Sequence, residues 1–201
     1  MTDALRSLST LHLTRPRKRR REGLVLATPQ GRTIARSEAQ GSTARRLLMG
    51  NRRVHLVSEP DGDHLLTITD PVNVLRDSFE ILSPEGTELA RVISRHGWKG
   101  TSLHVTCAGE EELDVIGSLS DREFRLSSDE KDPTATWMSM SRQWSGVRAE
   151  MVDAASYVLS FREGLGEEER LLCVGVAIAV DLHQLKKESQ LMTVVTTASG
   201  S

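Results

Sequence analysis

Aromatic residues are scarce in this chain: Phe, Tyr and Trp together make up 3% of its 201 residues. A folded core must therefore rely on Val, Leu and Ile. Cysteine is scarce too, because Cys107 and Cys173 are the only two, both in apolar segments without a CxxC or Cys/His context. Such thiols are typical of a reducing compartment, so we predict two buried free cysteines and not a disulfide or a cysteine-bound metal.

Signatures of catalysis are also lacking. The sequence has no G-x-S-x-G elbow, P-loop, G-x-G-x-x-G or HExxH motif. Its six histidines are scattered, and we expect His183 to face solvent or to cap a helix. The acidic runs at 110–112 and 167–169 are typical of solvated surfaces. We therefore predict no enzyme activity, no cofactor and no metal site.

The sequence has only one long apolar run, at residues 171–180. A helix that spans a bilayer needs ~20 residues, so this run is too short to cross a membrane. The run is therefore expected to be buried inside a globular domain. Alternation of large and small residues would suit a strand. Three acids before the run and two lysines after it favour a helix over about 167–187, because they complement the helix dipole. The large side chains predicted to be buried are Leu171, Leu172, Val174, Val176, Ile178 and Val180, and the small residues between them would let neighbouring strands approach closely.

Turn signals recur through the rest of the chain. Pro-x-Gly triplets at 29–31, 60–62 and 84–86 each separate two short apolar segments, and a weaker signal lies at 108–109. Gly accepts the positive φ of tight turns, so each unit predicts a β-hairpin. Eleven or twelve short strands are predicted in total, and they must close or stack to hide their edges. Residues 1–8 are predicted to be an N-terminal tail and 188–201 a flexible C-terminal tail, and we see no signal peptide.

Positive charge is concentrated near the N-terminus. Residues 1–53 contain 13 Lys/Arg and 3 Asp/Glu, whereas residues 54–201 contain 13 Lys/Arg and 25 Asp/Glu. Such a basic segment can face an anionic membrane, nucleic acid or the acidic remainder of the same chain. The candidate lipid-binding residues are Arg15, Arg17, Lys18, Arg19, Arg20, Arg21, Arg45, Arg46, Arg52 and Arg53.

The order of these elements resembles the phospholipid scramblase family and, more broadly, the LURP-one-related proteins and the tubby C-terminal-like superfamily. The resemblance is carried by the hairpin FEILSPEGTELARVIS at 79–94, by EFRLSS, ATWMSMSRQWSG and SYVLSF, and by LLCVGVAIAVDLHQL at 171–185. It covers residues 9–187 and implies a mainly β (α+β) domain. The implied fold is a closed antiparallel β-barrel of about twelve strands around a buried hydrophobic C-terminal helix. Trp98, Trp137 and Trp144 are expected to pack on the barrel wall.

The chain departs from the animal scramblases at the loop before the helix, residues 161–171, which is acidic but lacks spaced Asp ligands for calcium. A Pro-rich N-terminal region and clustered cysteines are also missing. We therefore expect neither calcium dependence nor palmitoyl anchoring.

The resemblance implies a non-enzymatic, scramblase-related protein that binds anionic phospholipid at a membrane surface and promotes transbilayer lipid movement. Its expected location is the cytoplasm, with peripheral attachment at the inner face of the plasma membrane. Two alternatives stay open. One is a soluble scaffold that binds a small apolar ligand or a protein partner, and the other is a nucleic-acid-associated regulator.

Overall fold

The structure is a computed structural model, and it describes residues 5, 7–16, 23–40, 53–71, 77–97, 100–117, 123–142 and 153–198. These residues form twelve strands followed by one long helix. The strands are β1 Thr10–Pro16, β2 Gly23–Ala27, β3 Thr33–Gln40, β4 Arg53–Ser58, β5 His64–Asp70, β6 Ser78–Leu82, β7 Glu88–Gly97, β8 Gly100–Cys107, β9 Glu112–Ile116, β10 Glu123–Ser127, β11 Thr136–Arg142 and β12 Asp153–Phe161; the helix is α1 Glu167–Ala198.

The twelve strands form a closed barrel in which each strand pairs with its neighbour in sequence. The first strand closes the barrel by pairing antiparallel with the last, so that Leu11 lies opposite Leu159 and Leu13 opposite Tyr157. Closure removes every sheet edge, which is how a small all-antiparallel domain avoids exposed backbone donors and acceptors. The predicted fold class is confirmed.

Four of the hairpin turns share one hydrogen-bond pattern. In the first, Thr28 N–H donates to Arg32 O and Gly31 N–H donates to Thr28 O, both at 2.9 Å. The turns that begin at residues 59, 83 and 107 repeat this pattern. It requires a positive φ at the fourth residue, and Gly31 has a φ of 85° there. In the fourth turn the position is held by Glu110, the only described non-glycine residue with positive φ, at 63°.

The barrel interior is filled by α1. Every residue from 170 to 183 is buried, including all six side chains predicted to be enclosed. Gly175 faces β6 so closely that an added Cβ would lie 2.7 Å from Ile81 Cγ2. The helix is not amphipathic over this stretch because it is surrounded by strands, which is the arrangement expected of a segment that is apolar on all sides.

The helix is longer than predicted, because it includes residues 188–198 of the predicted C-terminal tail. The helix begins at Glu167, as predicted, but continues to Ala198 instead of ending near Lys187. At 1.5 Å per residue a helix of 32 residues is roughly 48 Å long. The residues from 188 onward are polar or small enough to have suggested a tail, yet they contain no Pro or Gly before Gly200 that would end a helix.

The two ends of the barrel differ in what connects the strands. At one end, which we call the hairpin end, lie the described turns between β2 and β3, β4 and β5, β6 and β7, β8 and β9, and β10 and β11, together with the start of α1. Arg170 holds the helix start there, since its Nη1 donates to Leu8 O at 2.7 Å and its guanidinium lies over the Phe161 ring. At the other end, which we call the helix-exit end, β1, β3, β5, β7, β9 and β11 finish and α1 leaves the barrel.

Candidate functional site

The segments that connect the strands differ strongly in their content of charged residues. The segments between strand ends that lie at the helix-exit end contain twelve Lys/Arg and four Asp/Glu in the sequence, and all twelve of these cations lie outside the described residues. The segments that join strands, or β12 to α1, at the hairpin end contain three Lys/Arg and ten Asp/Glu. A formal net charge of only −2 therefore combines a basic and an acidic set of connecting segments. Such a separation orients a protein near a charged surface.

Most of the predicted lipid-binding residues belong to these basic segments. The residues that lie outside the described part of the chain are Arg17, Lys18, Arg19, Arg20, Arg21, Arg45, Arg46 and Arg52. Arg53 begins β4, and its backbone pairs with Asp70 of β5. The cations at 17–21 follow the end of β1 and precede β2, and those at 45, 46 and 52 lie between β3 and β4. The described ends of these four strands lie at the helix-exit end.

Arg15 is a correction to the predicted basic surface, because its side chain is buried and not available to a membrane. Its relative exposure is 2%. Its Nε donates to Asp181 Oδ2 at 3.0 Å, and its Nη2 donates to the same oxygen. Arg15 continues the inward alternation of Leu11 and Leu13 on β1, so its guanidinium reaches the helix instead of solvent.

Lys186 forms a second link between the helix and the barrel at this end. Its ammonium lies 2.6 Å from Asp70 Oδ1 at the end of β5 and 3.2 Å from Asp77 Oδ1 just before β6. It also lies 4.8 Å from the centroid of the Phe79 ring, which is within cation–π range. The carboxylates compensate the charge of a partly buried lysine and hold α1 against the β5–β6 wall.

His183 is also a correction, since it neither faces solvent nor caps the helix. It is 4% exposed, and its Nδ1 lies 3.3 Å from Asp77 Oδ2 in an alignment that does not satisfy hydrogen-bond geometry. Burial lowers the pKa of this imidazole, Lys187 and Lys186 lower it further, and Asp77 opposes them. The ring is therefore neutral at pH 7.

One further polar contact lies at the helix-exit end. Tyr157 O–H donates to Gln184 Oε1 at 2.8 Å, which ties β12 to the helix. Together with Arg15–Asp181 and the Lys186 contacts, it links the helix to β1, β12 and the β5–β6 wall. The sequence drew attention to Arg15 but missed its partner Asp181. It also missed the contacts of Lys186 with Asp70 and Asp77 and of Tyr157 with Gln184, because each joins residues far apart in the sequence.

The remaining features considered in the sequence are metal ligands, cysteines, tryptophans and membrane-spanning helices. Among the described residues no three His, Cys, Asp or Glu side chains are grouped as metal ligands. Both cysteines are free; Cys173 is fully buried and Cys107 half-buried, and burial raises the pKa of the Cys107 thiol to about 11. Trp137 is buried on the barrel wall under Arg162, whereas Trp98 and Trp144 lie outside the described residues. No described helix is both long enough and apolar enough to cross a membrane.

Comparison with known proteins gives no family for this chain. No protein-family model matches it, and no curated protein matches it. The resemblance to scramblase-related proteins therefore stays a prediction, supported in its architecture alone by the barrel and its enclosed helix.

Proposed function

We propose that this protein is a non-enzymatic barrel that attaches to anionic phospholipid surfaces through its helix-exit end. The observation that carries the proposal is the difference in charge between two sets of connecting segments. Those that join strand ends at the helix-exit end contain twelve Lys/Arg and four Asp/Glu, and those at the hairpin end contain three and ten. A cation near an anionic bilayer contributes about 1 kcal/mol, so an excess of this size supports salt-sensitive attachment.

The acidic hairpin end favours a single orientation. An anionic surface repels its exposed carboxylates, among them Asp61, Asp63, Glu85 and Asp132. Screening limits this repulsion to about 10 Å at moderate salt. Within that distance of the membrane, attraction of the basic segments and repulsion of the acidic ones favour the same orientation of the barrel. The helix-exit end then faces the lipid, and the proposed site of attachment is peripheral, at the inner face of the plasma membrane.

Vesicle co-sedimentation tests the attachment. Binding is expected to increase with the fraction of phosphatidylserine, to be absent on phosphatidylcholine alone and to decrease at high salt. The quadruple variant Arg17→Gln, Lys18→Gln, Arg19→Gln, Arg20→Gln should lose most of the binding. The matched control Arg32→Glu, Lys131→Glu lowers the net charge by the same amount at the hairpin end, where both side chains are exposed, and should bind as the unaltered protein does.

Equal losses in the two variants would mean that only net charge matters, and would contradict attachment through one end. A nucleic-acid titration at the same salt concentrations tests the alternative that the protein binds nucleic acid instead of lipid. Tighter, sequence-independent binding to nucleic acid than to vesicles would replace the lipid proposal. The scaffold alternative for an apolar ligand is disfavoured because α1 already occupies the barrel interior.

Transbilayer lipid movement is the second part of the proposal. It is tested with fluorescent lipid in reconstituted vesicles, as the fraction accessible to an external quencher over time, with and without calcium. We expect movement without any calcium dependence. Attachment without movement would restrict the function to lipid binding.

A further inference from the structure

A histidine is enclosed on the outer wall of the barrel. His104 lies on β8 between Leu103 and Val105, whose side chains belong to the core inside the barrel, so the alternation of the strand directs the imidazole outward. The residue is nevertheless only 4% exposed. A polar ring buried in this way is expected to have a partner at each nitrogen.

Two carboxylates of β9 face the two nitrogens of this ring. Asp114 lies directly opposite His104 in the register of the two strands, and its Oδ1 is 2.8 Å from Nδ1. Glu112 Oε1 lies 3.6 Å from Nε2. Because a carboxylate only accepts hydrogen bonds, Nδ1 carries the proton that Asp114 accepts, and Nε2 is the nitrogen that faces Glu112.

The contact between Nε2 and Glu112 is not a hydrogen bond. Nε2 has no hydrogen-bond partner in the part of the chain that the structure describes, and 3.6 Å exceeds the usual upper limit of about 3.2 Å. In a neutral ring the Nε2 lone pair faces an anionic oxygen, and a cation between the two atoms stabilises that arrangement. A tetrahedral zinc ion with bonds of ~2.1 Å holds neighbouring ligand atoms about 3.4 Å apart, which is close to the observed separation.

We propose that His104 Nε2 and Glu112 Oε1 bind a divalent transition-metal ion, zinc or copper, on the outer wall between β8 and β9. An imidazole nitrogen with a carboxylate oxygen is a donor set that both ions accept. Asp114 holds the ring through Nδ1, as a carboxylate or carbonyl does for most metal-bound histidines. The Glu112 side chain is 68% exposed, so it can move to admit the ion, and water can complete the coordination.

This pair differs from the metal centres that the sequence motifs describe. Only two described side chains would bind the ion directly, which agrees with the lack of a three-ligand group among the described residues. The sequence predicted no metal site because its histidines are scattered. The pair uses a single histidine, and the pairing of β8 with β9 supplies the carboxylates.

Calorimetric titration of the chelator-treated full chain with Zn²⁺ alone measures binding, and ¹H–¹⁵N spectra of the histidine rings identify the nitrogen involved. We expect one ion per chain and a change in the Nε2 resonance of His104. Binding should weaken as the pH falls, because protons compete for Nε2. Cu²⁺ should bind more tightly than Zn²⁺, and either ion should raise the midpoint of thermal unfolding.

Three variants and a control locate the ion. Asp114→Asn, which perturbs the ring without removing a ligand, should weaken zinc binding about 10–100-fold. At least as large a loss is expected for His104→Gln and for Glu112→Gln, which remove direct ligands. Glu112 is mostly exposed, so its variant should fold as the unaltered protein does. The control His64→Gln removes a histidine whose Nε2 lies 2.9 Å from the Thr67 hydroxyl, and should leave zinc binding unchanged.

Three results would overturn the site. Zinc binding that is unchanged in Glu112→Gln, or that leaves the Nε2 resonance of His104 in place, would assign the ion to another part of the chain. A ring that stays protonated at both nitrogens in excess zinc would mean that a proton, and not a metal ion, lies between Nε2 and Glu112. Binding no tighter than that of free imidazole would indicate an adventitious ion only.

Discussion

The ion pair between Arg15 and Asp181 gives the sharpest test of how the helix is held. Both side chains are 3% exposed, so neither charge is solvated. Asp181→Asn keeps the shape of the side chain but removes the carboxylate charge that faces the buried Arg15 guanidinium. Breaking a buried pair from one side costs about 3–5 kcal/mol, which is a large share of a typical total stability of ~5–15 kcal/mol.

Removing both charges together should cost far less. Arg15→Met with Asp181→Leu replaces the pair by apolar groups of similar volume, and such replacements are neutral or stabilising in other proteins. We therefore expect the double variant to be more stable than either single variant. Chemical denaturation monitored by Trp fluorescence gives the free energy of unfolding of each, and the cycle gives their coupling.

An exposed pair supplies the control. Arg91 Nη2 lies 2.8 Å from Glu88 Oε2, but these side chains are 46% and 42% exposed. Arg91→Met should therefore lower the free energy of unfolding by no more than about 1 kcal/mol. If the changes at Arg15 and Asp181 were additive, or as small as that at Arg91, the buried pair would not be what fixes the helix in the barrel.

Three other changes have defined expected outcomes. Ile178→Asp places a carboxylate at a 1% exposed position inside the barrel, and should give insoluble or non-cooperatively unfolding protein; a soluble variant with a sharp thermal transition would contradict the enclosed helix. Glu110→Gly should raise the free energy of unfolding by about 1 kcal/mol because its φ is 63°, while Gly86→Ala at the equivalent turn position should lower it; equal signs would refute the shared turn geometry. Because the pKa of His183 in the folded protein lies below 6.5, the unfolded chain takes up a proton first, and stability should decline as pH falls through and below 6.5; His183→Gln should make denaturation midpoints less dependent on pH over that window.

The barrel could be predicted because its signals are local. A Pro-x-Gly triplet marks three of the turns, and the apolar residues on either side need no partner to be recognised as strands. The helix was equally predictable, since a ten-residue apolar run is too short for a bilayer and too apolar for a surface. Its extension to Ala198 was not, because Thr- and Val-rich sequence has weak helix propensity and the continuation depends on a helix already nucleated inside the barrel.

The polar links at the helix-exit end were beyond prediction for a different reason. Arg15 lies next to a run of cations, and for that reason it was predicted to be exposed. The alternation of Leu11, Leu13 and Arg15 along β1 would instead have predicted an inward side chain. Its partner Asp181 is 166 residues away, and only barrel closure brings the two together. The same holds for His183, which follows an aspartate by two residues and was expected to face solvent, but is buried with its Nδ1 3.3 Å from Asp77 Oδ2.

The pairing of β1 with β12, and the placement of α1 after both, also determine when this chain can fold. At ~5–20 residues per second, synthesis of the segment between them takes several seconds or more, during which β1 has no partner on one side. The hairpins can form as they emerge from the ribosome. The interior of the barrel stays unfilled, however, until the helix has been synthesised. A transcript or ribosome stall that ends the chain before residue 167 would thus release an open, edge-exposing sheet and not a smaller version of the domain, and such products are expected to aggregate or to be degraded.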